Sequence, residues 1–176
     1  KMPAQIFMLN PLLTSKLHMK VFAYVRDEIP HSWDIQAHEI TRTALEVLPV
    51  GHGICYAKSN LLAALLRRRG IPTGFCYQRL LLFDEAAGQY CIHAMNAVYL
   101  KQRQQWLRID ARGNKAGVDA QFLPPEEHVA FAINSNASEI DYPTIYAQPN
   151  LETMQTLQRA QDAITMYSHE LPEYLA

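Results

Sequence analysis

Cysteine is scarce in this chain and has no framework spacing. The residues Cys55, Cys76 and Cys91 are odd in number and form no C-x-x-C pair. That argues against a disulfide scaffold and makes reduced thiols in a cytoplasm the default. Drawing Cys91 and His93 with Cys76 or Cys55 as zinc ligands leaves no fourth ligand at a suitable spacing. No metal or other cofactor is expected. Charge of one sign is lacking too. The formal net charge is −1, so no nucleic-acid surface is expected. No apolar run approaches the roughly 20 residues that span a bilayer, so no membrane partner is expected. The opening KMPAQIFMLNPLLTSK lacks the layout of a secretory signal, and the expected location is cytoplasmic. The start at Lys1 points to trimming or to residues upstream. Internal repeats, low-complexity tracts, linkers and a calcium-type acidic loop are missing as well. What remains is 176 residues, 49% hydrophobic and 19% charged, which fits one domain over 1–176 with a substantial core.

The chain is organised around GHGICYAKSNLLAALLRRRGIP, Gly51 to Pro72. It reads as one helix with both ends marked. Gly51 and Gly53 bracket its start, and Cys55 sits in its first turn. Leu61 to Leu66 is apolar without a break. Arg67, Arg68 and Arg69 suit the negative end of the helix dipole. Gly70 is the expected left-handed cap, and Pro72 prevents continuation. A helix apolar almost all round belongs at the centre of a domain. A thiol at its positive end is placed for reactivity. A lone cysteine is more often one more small buried hydrophobe, so the case depends on its partners.

Residues 1–13 read as an irregular lead-in. Ser15 suits the cap of a helix to about Ile29, ended by Pro30. HSWDIQAHEI is a loop or extended crossing. Thr43 and Glu46 have capping-box spacing, so a short helix is expected at 44–48. After Pro72 the pattern turns to strands at 73–83, 90–100 and 105–111, with a turn at 84–88. ARGNKAGVDA is a polar loop, and Pro124 and Pro125 break the chain again. Val129, Phe131 and Ile133 alternate like a strand, and 140–146 is a further candidate. Asn150 caps a last helix over about 150–168. Helices first and strands after favour an α+β domain, a central buried helix packed on an antiparallel sheet, with its core over about 15–146.

A thiol nucleophile needs a base, and the base needs an orienting group. Most of the seven histidines sit on helix faces or in polar loops, where solvation is the ordinary reading. His93 lies within an apolar strand, as either a satisfied core residue or a functional one. Asp110 ends the next strand, where an acid often caps a turn. A hairpin with an even loop centred on Lys101 and Gln102 puts His93 directly opposite Asp110 on one face. Opposed Cβ atoms lie about 4.5–5.5 Å apart, within reach of an imidazole–carboxylate hydrogen bond.

G-x-G-I-C-Y-A-K-S opening a helix, then R-x-G-I-P, an isolated strand histidine and W-x-x-x-D resemble the transglutaminase-like superfamily, most closely its small stand-alone microbial members. The resemblance runs from about Val25 to Phe122 in the order Cys, His, Asp. In IHAMNAVYL, Met95 stands where many members have tryptophan. The resemblance implies a papain-like α+β core with Cys55 as nucleophile, His93 as general base and acid, and Asp110 as orienter. The implied chemistry is acyl transfer through a thioester. The backbone N–H of Cys55 is the natural first oxyanion donor. Gln78 and Trp33 are candidates for the second. Arg112 and Asn114 are candidates for substrate binding. Lys58 and Ser59 satisfy local backbone, bind a carboxylate or are solvated. Asn96 faces away from His93, while Cys91 shares its face.

The expected function is a thiol-dependent enzyme acting on a peptide, protein or small amide. Peptidase- or amidase-like hydrolysis is favoured over protein cross-linking. The alternative is a binding module that keeps the fold without catalysis, which an intact triad disfavours.

Overall fold

The computed structural model describes residues 11–82 and 88–175. Most of the lead-in (1–10), the last residue of the expected strand 73–83 and most of the turn expected at 84–88 lie outside the described residues. Helix α1 spans Pro11–Ala23 and widens into a π-helical turn, Tyr24–Glu28. It starts earlier than Ser15, at a proline whose missing N–H costs nothing in a first turn. Helix α2, Ala44–Val50, has the full Thr43/Glu46 capping box and runs two residues beyond the expected end. Gly51 belongs to α2, not to the next helix. Its φ of 85° and its N–H to the Val47 carbonyl make it the left-handed cap.

Helix α3 is Cys55–Arg67, shorter than the Gly51–Pro72 stretch that announces it. Ile71 N–H donates to the Leu66 carbonyl at 3.1 Å and Gly70 N–H to the Arg67 carbonyl at 2.9 Å. These are the paired bonds of a Schellman ending, with Gly70 at φ 72°. The helix lies between two apolar cores, which is why it is apolar nearly all round. Ala57, Leu61, Leu62 and Leu66 pack with Phe22 and Val25 and with Val98, Leu107 and Ile109. Cys55, Tyr56 and Ala63 pack with Phe75, Tyr77, Ile92 and Ala94, and with Leu157 and Met166.

The strands are β1 (Thr73–Leu81), β2 (Tyr90–Leu100), β3 (Gln105–Ile109), β4 (Gln121–Leu123), β5 (Glu126–His128) and β6 (Ile140–Asp141). An antiparallel sheet runs β3-β2-β1-β6, and β4-β5 is a separate hairpin. The fold is therefore α+β, as the element order implies. The β2–β3 ladder pairs Leu100 with Gln105 and Asn96 with Ile109. It runs two residues out of the expected register, because the loop is 101–104 and closes on Gln104 at φ 50°. A shift of two keeps every side chain on its face. Asp110 thus stands diagonal to His93 instead of opposite it, and beyond the end of β3.

Two further expectations are corrected. No strand forms at 129–133. There Ala130 N–H donates to Asp110 at 3.1 Å and the Phe131 carbonyl accepts from Gln78 at 3.4 Å, so side chains of the site take the backbone groups a strand would use. The last helix is two: α4, Leu151–Arg159, and α5, Ala163–His169, with Asp162 capping the second through Thr165 N–H at 2.8 Å. Among the described residues no helix is long and apolar enough to cross a membrane.

Candidate active site

Because β3 stops at Ile109, the lower half of β2 has no third strand beside it. Ile92 is satisfied from elsewhere: its N–H donates to the Pro172 carbonyl at 2.8 Å, and its carbonyl accepts from Tyr56 Oη at 2.8 Å. That seats the start of α3 against the free edge of β2. Cys55, His93 and Arg112 line one cavity of about 240 Å³, walled further by Cys91, Phe131 and Tyr167.

His93 Nε2 and Asp110 Oδ2 are 2.7 Å apart in a pair almost sealed from water. Asp110 also accepts from Arg112 N–H at 3.0 Å and Ala130 N–H at 3.1 Å. Burial opposes its charge, but the His93 cation and these hydrogen bonds hold its carboxyl below the ordinary range. Burial likewise opposes the His93 cation. The Asp110 charge and hydrogen bond, then the hydrogen bond with Cys55, outweigh it and lift the imidazole to about 10. The edge of Phe131 faces the ring at 5.1 Å between centroids.

The structure thus brings Cys55, His93 and Asp110 together, by the end of a helix, the middle of one strand and the residue after another. It treats the other candidates differently. Cys55 N–H is already engaged, donating to His31 Nε2 at 3.1 Å. Gln78 is directly paired with His93 across β1 and β2, but its amide donates to Phe131 and does not line the cavity. Trp33 stacks on Tyr167 at 4.6 Å, outside the cavity lining. Arg112 does line the cavity, with both terminal nitrogens on Asp34. Asn114 is a loop-former: it accepts Ala120 N–H at 2.8 Å and donates to Asp119 and the Ala120 carbonyl. Asn96 faces away from His93, as alternation requires, and donates to the Ser59 and Gly74 carbonyls. Cys91 lines the cavity, and burial pushes its thiol up to about 12.

A profile of conserved family sequence bears on this arrangement. The family model described as the transglutaminase-like superfamily matches residues 10–111, more than half of the chain. The chain belongs to the transglutaminase-like superfamily. The match takes in Cys55, His93 and Asp110 and ends one residue after the last of them. Transglutaminase-like proteins typically carry a cysteine-based acyl-transfer activity, which makes a cysteine-dependent enzyme the coarse reading of this chain. No curated protein matches it. A solved structure described as "Crystal structure of a TGase" aligns at a TM-score of 0.40 and 15% identity, over 69% of this chain. The chain spans 38% of that protein's length.

Two residues of the site, His31 and Asp34, escape sequence reasoning, and a third, Lys58, is only partly read. His31 looks solvated in the sequence and is buried, and Lys58, also buried, takes the backbone-satisfying one of its three readings, with carbonyls far from it in the chain. His31 is brought to Cys55 by a parallel bridge to Gly53. Lys58 reaches the carbonyls of Ile29 and Arg26, and burial, then the nearby Arg112 charge, depresses its amine to about 7. Asp34 accepts from Arg112 and, at 2.6 Å, from Lys115, which hold it at about 2 against the cost of burial. No helical or strand periodicity marks His31 or Asp34. The only signal is polar residues crowded around Trp33 in a short loop.

Proposed function

We propose that the chain is a thiol-dependent acyl-transfer enzyme that hydrolyses amide bonds, with Cys55 as nucleophile, His93 as acid and base, and Asp110 as the group that orients His93. One observation carries the reading: His93, held 2.7 Å from the buried Asp110, shares a cavity with a thiol at a helix start. The cationic His93 stands beside the sulfur, within reach of the group the sulfur expels. The sulfur attacks the carbonyl, and His93 gives its proton to the leaving amine. The thioester removes the sulfur's negative charge and with it one support of the imidazolium. His93, now neutral, takes a proton from the incoming water. Asp110 stays ionised throughout and fixes which ring nitrogen carries the proton. Water needs no dedicated site as acceptor, whereas an amine does, which favours hydrolysis over cross-linking.

The test is alkylation followed by turnover. Iodoacetamide at neutral pH is expected to label Cys55 much faster than free cysteine, and Cys55→Ala to lose amide turnover entirely. Labelling no faster than free cysteine would favour a binding module. Intact turnover in Cys55→Ala would remove the nucleophile assignment.

A further inference from the structure

The first oxyanion donor is already occupied, and its occupant is placed to be the second. Both ring nitrogens of His31 face fixed N–H donors: Cys55 N–H at Nε2, 3.1 Å, and Trp33 N–H at Nδ1, 3.3 Å. A neutral imidazole offers one acceptor nitrogen and one N–H, so it satisfies only one of them at a time. The ring is held neutral, since burial first, and then the neighbouring Arg112 cation, push its pKa well below the ordinary value. Its backbone is pinned to the start of α3. Ser32 N–H donates to the Gly53 carbonyl at 3.1 Å and Gly53 N–H to the Pro30 carbonyl at 3.3 Å. Tyr167 stands edge-on to the ring at 5.6 Å.

Each tautomer has a definite consequence. With the proton on Nδ1, Nε2 accepts the Cys55 N–H and the start of α3 presents no free donor. With the proton on Nε2, Nδ1 accepts from Trp33 instead. Two N–H groups then sit with their nitrogens 3.1 Å apart, beside the sulfur's own residue, with no acceptor between them. An oxygen anion beside the pair, within hydrogen-bond distance of each nitrogen, accepts from both once the ring shifts to release the Cys55 N–H. Other donors nearby are committed, Arg112 to Asp34 and Gln78 to Phe131.

We propose that His31 is a further catalytic residue, donating Nε2–H to the oxyanion alongside Cys55 N–H. The proposal rests on the reading of Cys55 as nucleophile. In the acylation step a sulfur electron pair forms the S–C bond, and the carbonyl π pair moves to oxygen, where the two N–H groups receive it. Collapse restores the C=O bond and expels the leaving group with its bonding pair, and an amine leaving group takes the proton of His93. A neutral imidazole suits the role because it donates a hydrogen bond without surrendering the proton. The role needs the Nε2–H tautomer, reached from the Nδ1–H form by giving the Nδ1 proton to water and taking one from water at Nε2, so the ring stays neutral.

Alkylation and acylation separate the proposal from its foundation. Attack on iodoacetamide needs the thiolate but creates no oxyanion, whereas attack on p-nitrophenyl acetate creates one. His31→Ala is expected to slow the acylation burst by about 10²–10³-fold, with alkylation changed less than about threefold. His31→Gln, which keeps an N–H donor, is expected to recover part of the loss. Thermal melting of each variant accompanies the rates, and His31→Gln against His31→Met serves as the pair if His31→Ala unfolds. Equal loss of alkylation and acylation makes His31 a positioning residue for the helix start and overturns the proposal. An unchanged burst with fast alkylation overturns it too, while leaving Cys55 as nucleophile. Slow alkylation and no burst in the unaltered protein overturn both readings together.

Discussion

Asp110 is an anion with no water around it, and three hydrogen bonds take water's place. Its side chain is fully buried. Two of its partners are backbone N–H groups, which hold the carboxylate in one orientation whatever His93 does. Asp110→Asn keeps the shape, removes the charge and presents an amide to the imidazole. It is expected to lower amide turnover on the order of 10⁴-fold and to cost about 1–3 kcal/mol, because the new amide leaves one buried backbone N–H without its acceptor, read by steady-state kinetics beside a melting curve. The raised imidazole gives a second prediction. His93 is cationic below about 10, and amide cleavage needs that cation to protonate the leaving amine. Amide turnover is therefore expected to fall as pH rises through about 10. Cleavage of a p-nitrophenyl ester, whose leaving group needs no proton, is expected to show no such limb. An identical high-pH limb for both substrates would remove His93 as the acid.

In the proposed mechanism helix α3 has one end for chemistry and one for stability. At its start, Gly53 lies where a Cβ would stand 2.9 Å from Ala57 Cβ and 2.9 Å from Thr41 Oγ1. Gly53→Ala must push the first turn of α3, and so Cys55 moves relative to His93. A displacement near an ångström is expected to cut acylation by about 10–100-fold. At the far end, Gly70 has open space around it but a φ of 72°. Gly70→Ala is expected to cost about 1 kcal/mol in urea unfolding, from backbone strain alone, with kinetics unchanged. If Gly53→Ala lost only stability, the two ends of the helix would be equivalent, and the directional reading would fail.

The whole molecule is closed by its last residues. Pro172 takes the place of a strand at Ile92, and Leu171 and Tyr167 line the cavity. Arg79 anchors this segment from β1. Its guanidinium lies between the rings of Tyr90 and Tyr174, 3.4 and 4.4 Å from their centroids, and donates to the Glu173 and Ser138 carbonyls and to Tyr174 Oη. Arg79→Ala is expected to cost about 1–2 kcal/mol, since a buried side chain loses its packing on two rings and its three hydrogen bonds. The same variant is expected to raise solvent exchange at Ile92 N–H, the group Pro172 covers. Hydrogen exchange measured by NMR checks this, and protection equal to that of the unaltered protein would mean that the C-terminal segment holds without Arg79.

Sequence by itself determined the local elements. Strand β2 runs over the expected residues, the Thr43/Glu46 box caps α2, and Gly70 ends α3, because each depends on neighbours within a few residues. It also put His93 and Asp110 on one face, since alternation has a period of two and survives a register shift of two. Tertiary structure alone decided the rest. The loop at 101–104 set the register, and the end of β3 left Asp110 free to turn toward His93. The claims of Asp110 and Gln78 on Ala130 and Phe131 kept an alternating stretch out of the sheet. His31 reached Cys55 through a bridge to Gly53, across a gap no periodicity spans. Hydrogen bonds between residues far apart in the chain are settled only when the core closes, and those bonds position every donor and acceptor in this site.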